Sequence, residues 1–207
     1  MYTHNKQISI GGAAAANAKA ALIMLHGRGA SATDIMRLAG EFNAKDMAIY
    51  APQATNNSWY PYSFLAPVEQ NEPALSSALA LVDEVVAQAI TDGFSTDKIY
   101  FMGFSQGACL TLEYITRNAK QYGGAVAFTG GLIGEELKLN NYKGDFANTP
   151  VLITTGDPDP HVPLSRVEET VEILKSMNAN VTLKVYKGRA HTISFDEIGL
   201  ANQHVFI

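Results

Sequence analysis

The sequence predicts an α/β fold in which a mainly parallel sheet of about seven strands carries helices on both faces. Short β-rich runs alternate with longer runs of helical periodicity along the 207 residues, and this alternation is typical of a parallel sheet. Most of the short runs are continuously apolar, as expected of strands that are covered on both faces. There is no internal repeat and no linker, so we expect residues 1–207 to form a single domain.

Seven segments have the composition of β-strands. We place them at 8–10, 20–25, 47–50, 99–104, 125–128, 151–155 and 181–186. The segment 11–17 is rich in glycine and alanine and is expected to be a loop that joins the first two strands.

Five helices are expected between and after these strands, at 31–42, 73–92, 106–118, 163–177 and from residue 194 onward. The second has the fullest set of signals, because polar residues and Pro73 open it and Asp92-Gly93 ends it. Its larger apolar residues recur at steps of four and three, as on an amphipathic helix. These residues are Leu75, Leu79, Val82, Val86 and Ile90.

The composition limits the classes of function. Hydrophobic residues make up 47% and charged residues 17% of the chain, which is typical of a globular protein. A net charge of −5 argues against a surface for nucleic acid or anionic membrane. The single cysteine, Cys109, cannot form an internal disulfide and is expected to be a small buried apolar residue. Without a signal-like start or an apolar run of 18 residues, we expect a cytoplasmic monomer or homodimer with no integral membrane segment.

The segment 103–107, Gly-Phe-Ser-Gln-Gly, is the strongest functional signal in the sequence. A Gly-x-Ser-x-Gly pattern also arises by chance, so its setting matters. Here an expected strand leads into the pattern and an expected helix leads out, which is the setting of a nucleophile elbow. So tight a turn leaves room only for small residues beside the serine, which accounts for Gly103 and Gly107. Ser105 is therefore the candidate nucleophile.

A serine nucleophile needs a base, and the base needs an acid to orient it. In this type of fold they follow the serine in the order acid, then histidine, in loops after later strands. The loop after strand 151–155 holds Asp157 and Asp159, and the loop after strand 181–186 holds His191. Spacing alone leaves both aspartates open as the acid, since Asp157 could instead cap the local turn.

His191 is the candidate base among five histidines. His4 lies in a polar tail and is expected to be exposed, and chain order excludes His26, which precedes the serine. His161 is too close to the candidate acid to reach the elbow independently. His204 falls in the last expected helix, where a surface or packing role is expected.

A glycine-rich turn follows the second expected strand, in the segment 25–30, Leu-His-Gly-Arg-Gly-Ala. Turns of this kind supply a backbone N–H to an oxyanion hole, and Gly27 and Gly29 permit a close approach of the backbone. An ordinary strand-to-helix turn would also use glycines, so the candidate triad is what favours the functional interpretation.

Five segments form an ordered set along the chain. They are 25–30, Ser58-Trp59-Tyr60, the elbow at 103–108, the pattern Gly-x-x-Asp-x-x-Val-Pro at 156–163, and Gly-x-x-His at 188–191. The set resembles the phospholipase/carboxylesterase group of α/β-hydrolases, which includes acyl-protein thioesterases and small bacterial carboxylesterases. The resemblance extends from about residue 20 to residue 191. It implies that Asp159 is the acid, that Arg28 and Gln106 supply oxyanion N–H groups, and that the site has no metal, cofactor or large cap.

The sequence departs from the group's pattern in places that concern the substrate. Thr155 stands where the group often has histidine, and the segment 59–64 is unusually aromatic. Trp59, Tyr60 and Leu132 are expected as pocket walls, the last because it follows a glycine turn at the carboxyl end of a strand. The aromatic side chains at 62 and 64 are expected to pack on the core, and the Arg28 side chain to be solvated or in a salt bridge.

These observations predict a serine carboxylesterase that hydrolyses small-molecule esters of short to medium chain length through an acyl-enzyme on Ser105. Cleavage of thioesters or lysophospholipids by the same triad is the nearest alternative, since the triad itself does not distinguish between leaving groups. A ligand sensor on a hydrolase scaffold is a different class, and a complete triad argues against it. No histidine or cysteine pair has metal-ligand spacing, so no metal or cofactor is expected, nor a nucleic-acid partner.

Overall fold

Seven strands form one sheet in the computed structural model, which describes residues 2–207. The strands are β1 (Ile8–Gly12), β2 (Ala20–Leu25), β3 (Met47–Pro52), β4 (Ile99–Phe104), β5 (Gly124–Phe128), β6 (Pro150–Asp157) and β7 (Asn180–Lys187). Their order across the sheet is β1-β3-β2-β4-β5-β6-β7. β1 is antiparallel to β3, and all other neighbouring strands are parallel. The predicted seven-stranded, mainly parallel sheet is confirmed.

The first strand continues into the segment that was expected to be a loop. Gly11 and Gly12 pair with β3, and Gly12 has a φ of +70°. A Cβ atom at Gly12 would lie 2.3 Å from the Met47 carbonyl oxygen, so only glycine fits there. The remainder of the expected loop contains one short turn of 3₁₀-helix, Ala15–Asn17.

The helices are α1 (Ala32–Met36), α2 (Ala74–Thr91), α3 (Gln106–Arg117), α4 (Leu164–Ser176) and α5 (Phe195–His204). The helix expected at 31–42 is shorter than predicted, because it tightens into a 3₁₀-helix at Arg37–Glu41. Further 3₁₀ segments are Thr55–Asn57, Val68–Asn71, Thr96–Lys98 and Leu139–Asn141. α5 begins at a capping box, in which Ser194 and Glu197 satisfy each other's backbone N–H groups.

Alternate residues of the central strands point to opposite faces of the sheet and build two hydrophobic layers. Ile23 and Phe101 lie in the layer covered by α2, α3 and α4. Leu22 and Met102 lie in the layer covered by α1 and α5. The prediction of helices on both faces is therefore confirmed.

The buried face of α2 is rotated relative to the predicted stripe. Leu79 is only partly buried and Ile90 is 48% exposed. The buried face is completed by Ala78, Leu81, Val85 and Ala89. Within residues 2–207, α2 alone has the length and hydropathy of a membrane span, but its buried face packs in the core, as in the core helix of a globular protein.

Candidate active site

The elbow between β4 and α3 holds Ser105 in a strained backbone conformation. Its φ is 54° and its ψ is −118°, and its N–H donates to the Phe128 carbonyl at 2.9 Å. A Cβ atom on Gly103 would lie 2.4 Å from the Gly107 carbonyl oxygen, and one on Gly107 would lie 2.1 Å from the Leu25 carbonyl oxygen. Both contacts are with backbone, so neither can relax. The Gly-x-Ser-x-Gly pattern is thus required by the geometry of the turn.

Three side chains that the sequence singled out lie in one chain of hydrogen bonds. His191 Nε2 lies 2.8 Å from Ser105 Oγ, and His191 Nδ1 lies 2.9 Å from Asp159 Oδ2. The other oxygen of Asp159 accepts the backbone N–H groups of His161 and Val162, each at 2.9 Å. With Nδ1–H donated to the carboxylate, Nε2 is left as the acceptor that a general base needs.

The surroundings of the Asp159 carboxylate stabilise its charged form. Its side chain is buried, and burial tends to raise its pKa. The hydrogen bond to His191 and the two backbone donors outweigh burial, so the pKa of Asp159 lies below its ordinary value.

Asp157, the alternative acid, lies elsewhere. It is the exposed last residue of β6, and its carbonyl accepts the N–H of Gly188 at 2.9 Å. The structure therefore joins Asp159, and not Asp157, to His191.

Two rings contact the His191 imidazole. The centroid of Phe104 is 5.2 Å away at 40°, and that of His161 is 5.1 Å away at 82°. The sequence analysis set His161 aside because it follows the acid so closely. The ring that bonds Ser105 is indeed His191, but His161 is folded back against His191 and lies within the site.

A buried polar network holds the loop that carries His191, and the sequence analysis missed it. The Arg189 guanidinium donates to Thr129 Oγ1 at 2.8 Å, to Glu197 Oε2 at 3.1 Å and to the Thr192 carbonyl. Glu197 is fully buried and also accepts the Thr154 hydroxyl at 2.5 Å. The loop is thereby tied to Thr129, which follows β5, to Thr154 within β6, and to α5. The capping-box spacing of Ser194 and Glu197 is the one signal in the sequence that indicated part of this network.

The glycine-rich turn after β2 lies beside the serine. A Cβ atom on Gly27 would meet Ser105 Cβ at 3.6 Å. Among residues 2–207, no carbonyl or side-chain acceptor outside the regular helices and strands receives the backbone N–H of Arg28 or Gln106. Gln106 is the first residue of α3, where an N–H has no intrahelical partner. Both N–H groups can therefore donate to a bound oxygen atom.

His26, which chain order excluded as the base, holds this turn in place. Its Nδ1–H donates to the Gly27 carbonyl at 2.8 Å, and its Nε2 accepts the Ala54 N–H at 3.1 Å. Its own carbonyl accepts the Trp59 indole N–H at 2.8 Å. His26 is fully buried, and the loss of solvation lowers its pKa, so the neutral ring is favoured.

Two side chains fasten the aromatic segment over the site. Gln106 Oε1 accepts the Trp59 N–H at 2.9 Å, and Gln106 Nε2 donates to the Tyr60 carbonyl at 2.8 Å. The Arg28 guanidinium donates to the carbonyls of Pro61 and Tyr62 at 2.8 and 2.7 Å. The Arg28 side chain is exposed, in agreement with the expectation that it is solvated, and it also binds these carbonyls.

The N-terminal tail supports the same segment. His4 Nε2 donates to the Trp59 carbonyl at 2.9 Å, and its Nδ1 accepts the Thr55 N–H at 3.0 Å. The expectation that His4 is exposed is therefore wrong. It is half-buried, and burial lowers its pKa.

A pocket of about 720 Å³ opens above the serine. It is lined by Gly27, Arg28, Ala30, Tyr60, Pro61, Tyr62, Ser63, Phe64, Leu65, Phe104, Ser105, Gln106, Cys109, Pro160, His161, Val162, Pro163 and His191. Most of this wall comes from two loops, 60–65 and 160–163.

The predicted pocket walls are met only in part. Tyr60 lines the pocket, but Trp59 and Leu132 are fully buried and lie outside the lining. Tyr62 was expected to pack on the core and instead is 57% exposed at the pocket, whereas Phe64 is buried and also reaches the lining.

Cys109 is buried, as predicted, and it is also part of the pocket lining. Burial raises the pKa of its thiol to about 12, which keeps it protonated and unreactive at neutral pH. Among residues 2–207, no group of three or more histidine, cysteine or acidic side chains is arranged to hold a metal ion.

A seven-stranded sheet with a serine elbow and no large cap defines an α/β-hydrolase. Residues 11–207 match the family described as Phospholipase/Carboxylesterase, so the chain belongs to that family. It is accordingly a hydrolase that acts on ester bonds. The resemblance recognised in the sequence is confirmed.

Individual relatives agree with this assignment. The crystal structure of a phospholipase/carboxylesterase from Dyadobacter fermentans is 64% identical, covers 100% of this chain and 99% of its own, and superimposes with a TM-score of 0.99. The carboxylesterase SOBER1 of Arabidopsis thaliana is 24% identical over 87% of each chain. Acyl-protein thioesterase 1 of Kluyveromyces lactis is 28% identical over 60% of this chain and 56% of its own length.

Proposed function

We propose that this protein is a serine carboxylesterase that hydrolyses short- to medium-chain carboxylic esters through an acyl-enzyme on Ser105. The observation that carries the proposal is the continuous hydrogen-bond chain from Asp159 through His191 to Ser105 Oγ. It ends beside two backbone N–H groups, of Arg28 and Gln106, that are free to bind an oxyanion. Nucleophile, base, orienting acid and oxyanion donors are the four parts that acyl transfer needs.

In the acylation step, Ser105 Oγ attacks the acyl carbon while His191 Nε2 takes the hydroxyl proton. The carbonyl oxygen becomes an oxyanion that the N–H groups of Arg28 and Gln106 stabilise. The tetrahedral intermediate then breaks its bond to the alcohol oxygen, which leaves with the proton from His191. Asp159 holds the imidazole tautomer and stabilises the imidazolium throughout.

Deacylation repeats these events with water in place of serine. His191 takes a proton from water, the resulting hydroxide attacks the acyl carbon, and the same N–H groups bind the second oxyanion. The proton then passes from His191 to Ser105 Oγ as the ester bond breaks. The carboxylic acid leaves and the free serine is restored.

The pocket supports substrates of modest size. Its volume of about 720 Å³ lies within the range typical of small-molecule sites. Tyr60, Phe64 and Leu65 supply an apolar wall for an acyl chain. We therefore propose acyl groups of short to medium length, cleaved by a single-domain cytoplasmic enzyme that needs no metal or cofactor and is a monomer or homodimer.

Thioester cleavage is the second candidate, because one of the similar proteins is named an acyl-protein thioesterase. Lysophospholipase activity would use the same groups. A non-catalytic sensor would not require a base held within 3 Å of both acid and serine, so the geometry argues against that class.

A panel of p-nitrophenyl esters from acetate to laurate, with one acyl-coenzyme A thioester, tests this function. We expect kcat/KM to be highest from acetate to octanoate, to fall for laurate, and to survive dialysis against EDTA. A higher kcat/KM for the thioester than for every ester would favour the thioesterase alternative. Absence of turnover on the whole panel would contradict the proposal.

A further inference from the structure

The pocket wall has an uneven charge distribution. Arg28, His161 and His191 line it, and the lining contains no aspartate, glutamate or lysine, although the whole chain carries a net charge of −5. The nearby carboxylate of Asp159 is buried, and both its oxygens accept hydrogen bonds. An approaching substrate therefore meets a guanidinium charge and imidazole groups.

The chemistry of the site fixes where the leaving alcohol lies. Its oxygen must come within about 3 Å of His191 Nε2 to receive the proton. The His161 ring lies 5.1 Å from the His191 ring, is exposed, and lines the same pocket. The leaving alcohol and the His161 ring therefore share the part of the pocket beside His191.

The His161 imidazole has hydrogen-bonding capacity to spare. In residues 2–207 its backbone N–H is bound by Asp159, while neither ring nitrogen has a partner in the protein. A neutral imidazole carries one N–H donor, and a protonated one carries two. A donor beside the leaving group favours an acceptor on that group, and a carboxylate is the strongest acceptor of small size.

We infer that the pocket selects esters whose leaving alcohol bears a carboxylate close to the ester oxygen, as in esters of small hydroxy acids, and rejects cationic alcohols. His161 is the specificity-determining residue, and the guanidinium charge of Arg28 adds to the preference. This inference rests on the proposed esterase function. The pocket is open to solvent, so water weakens the interaction between the pocket and a charge on the leaving alcohol. Such a charge, several ångströms from Arg28, should change kcat/KM by roughly tenfold, and by less at high salt.

Three butyrate esters with the same acyl group test the inference directly. They are O-butyrylglycolate, ethyl butyrate and butyrylcholine, whose leaving alcohols are anionic, neutral and cationic. For the wild type we expect kcat/KM to fall in that order by roughly tenfold at each step at low ionic strength. Equal values, or a preference for the choline ester, would overturn the inference.

Substitutions at His161 identify the residue responsible. His161→Phe keeps a ring near His191 but removes the N–H donor, so the glycolate-to-ethyl ratio should fall at least fivefold. His161→Asn keeps a donor and should retain a larger ratio than His161→Phe. His204→Phe, the same exchange outside the site, should retain the wild-type ratio. Loss of all three activities in parallel in both His161 variants would mean that this residue only positions His191.

Arg28→Lys and Arg28→Met separate the charge from the contacts to the loop. Both variants lose the paired bonds to Pro61 and Tyr62, but only the methionine variant loses the charge. The ratio of kcat/KM for O-butyrylglycolate to that for ethyl butyrate should therefore be smaller in Arg28→Met than in Arg28→Lys. If ethyl butyrate and the p-nitrophenyl esters are hydrolysed but the three butyrate esters have equal kcat/KM, only this inference fails. If no ester is hydrolysed, the proposed function fails as well.

Discussion

Substitution of Gln106 separates two roles that the structure gives to one residue. Its backbone N–H is the proposed oxyanion donor, whereas its side chain binds the Trp59 N–H and the Tyr60 carbonyl. Gln106→Ala keeps the first role and removes the second. The Trp59 N–H then loses its partner, whereas the Tyr60 carbonyl still accepts the Ser58 hydroxyl at 2.9 Å.

The cost can be worked from these contacts. A buried polar group left without a partner costs about 1–3 kcal/mol, so the unpaired Trp59 N–H should lower the free energy of unfolding by about that amount. The oxyanion contact survives, so kcat should change by less than about tenfold. KM should rise, because Tyr60 lines the pocket and its segment is loosened.

Gln106→Pro provides the contrast, because it removes the N–H itself. We expect kcat to fall by about 10²–10³, the usual loss for one oxyanion donor. Urea denaturation and circular dichroism would verify the fold of each variant, with the exposed Gln203→Ala as a control. The reasoning is refuted if well-folded Gln106→Ala loses as much kcat as Gln106→Pro.

Three further predictions concern the acid, the loop of the base and pH. Asp159→Asn should lower kcat by about 10⁴ near neutral pH by favouring the wrong imidazole tautomer, and Asp157→Asn should change it little; the reverse ranking in steady-state kinetics would exchange the two assignments. Arg189→Met should cost about 3–5 kcal/mol, because it leaves a buried carboxylate unpaired, and should lower kcat more than it raises KM; a change confined to KM would contradict a positioning role. The pKa of His26 is lowered, so on acidification below about pH 6.5 the unfolded chain gains a proton that the folded chain resists. The free energy of unfolding should therefore fall from pH 7 to pH 5, and more gently in His26→Gln; identical slopes in urea denaturation would argue against this linkage.

Local patterns made most of the fold predictable. All seven strands were placed within about two residues of their observed ends, because buried parallel strands are short, continuous apolar runs. The elbow was predictable for a related reason, since its two glycines are required by backbone contacts within one turn. The error in α2 arose from following large side chains and neglecting Ala78 and Ala89, which complete its buried face.

The contacts that were missed are those between distant segments. Arg189 and Thr129 are 60 residues apart and meet only because β5 and the loop after β7 end at the same edge of the sheet. The contact between His161 and His191 likewise depends on how the acid loop folds back. His4 and Trp59 are 55 residues apart and also meet only in the folded chain. No short sequence pattern specifies such contacts, because each is set by tertiary packing.

Covalent labelling of Ser105 tests the central claim most directly. A fluorophosphonate probe reacts with a serine that its base has activated, so the wild type should gain one adduct, located on Ser105 by peptide mass spectrometry. Ser105→Ala should take up no probe and should lose about 10⁶ in kcat, leaving only the contribution of oxyanion and binding contacts. Labelling and turnover that persist in folded Ser105→Ala would contradict the account.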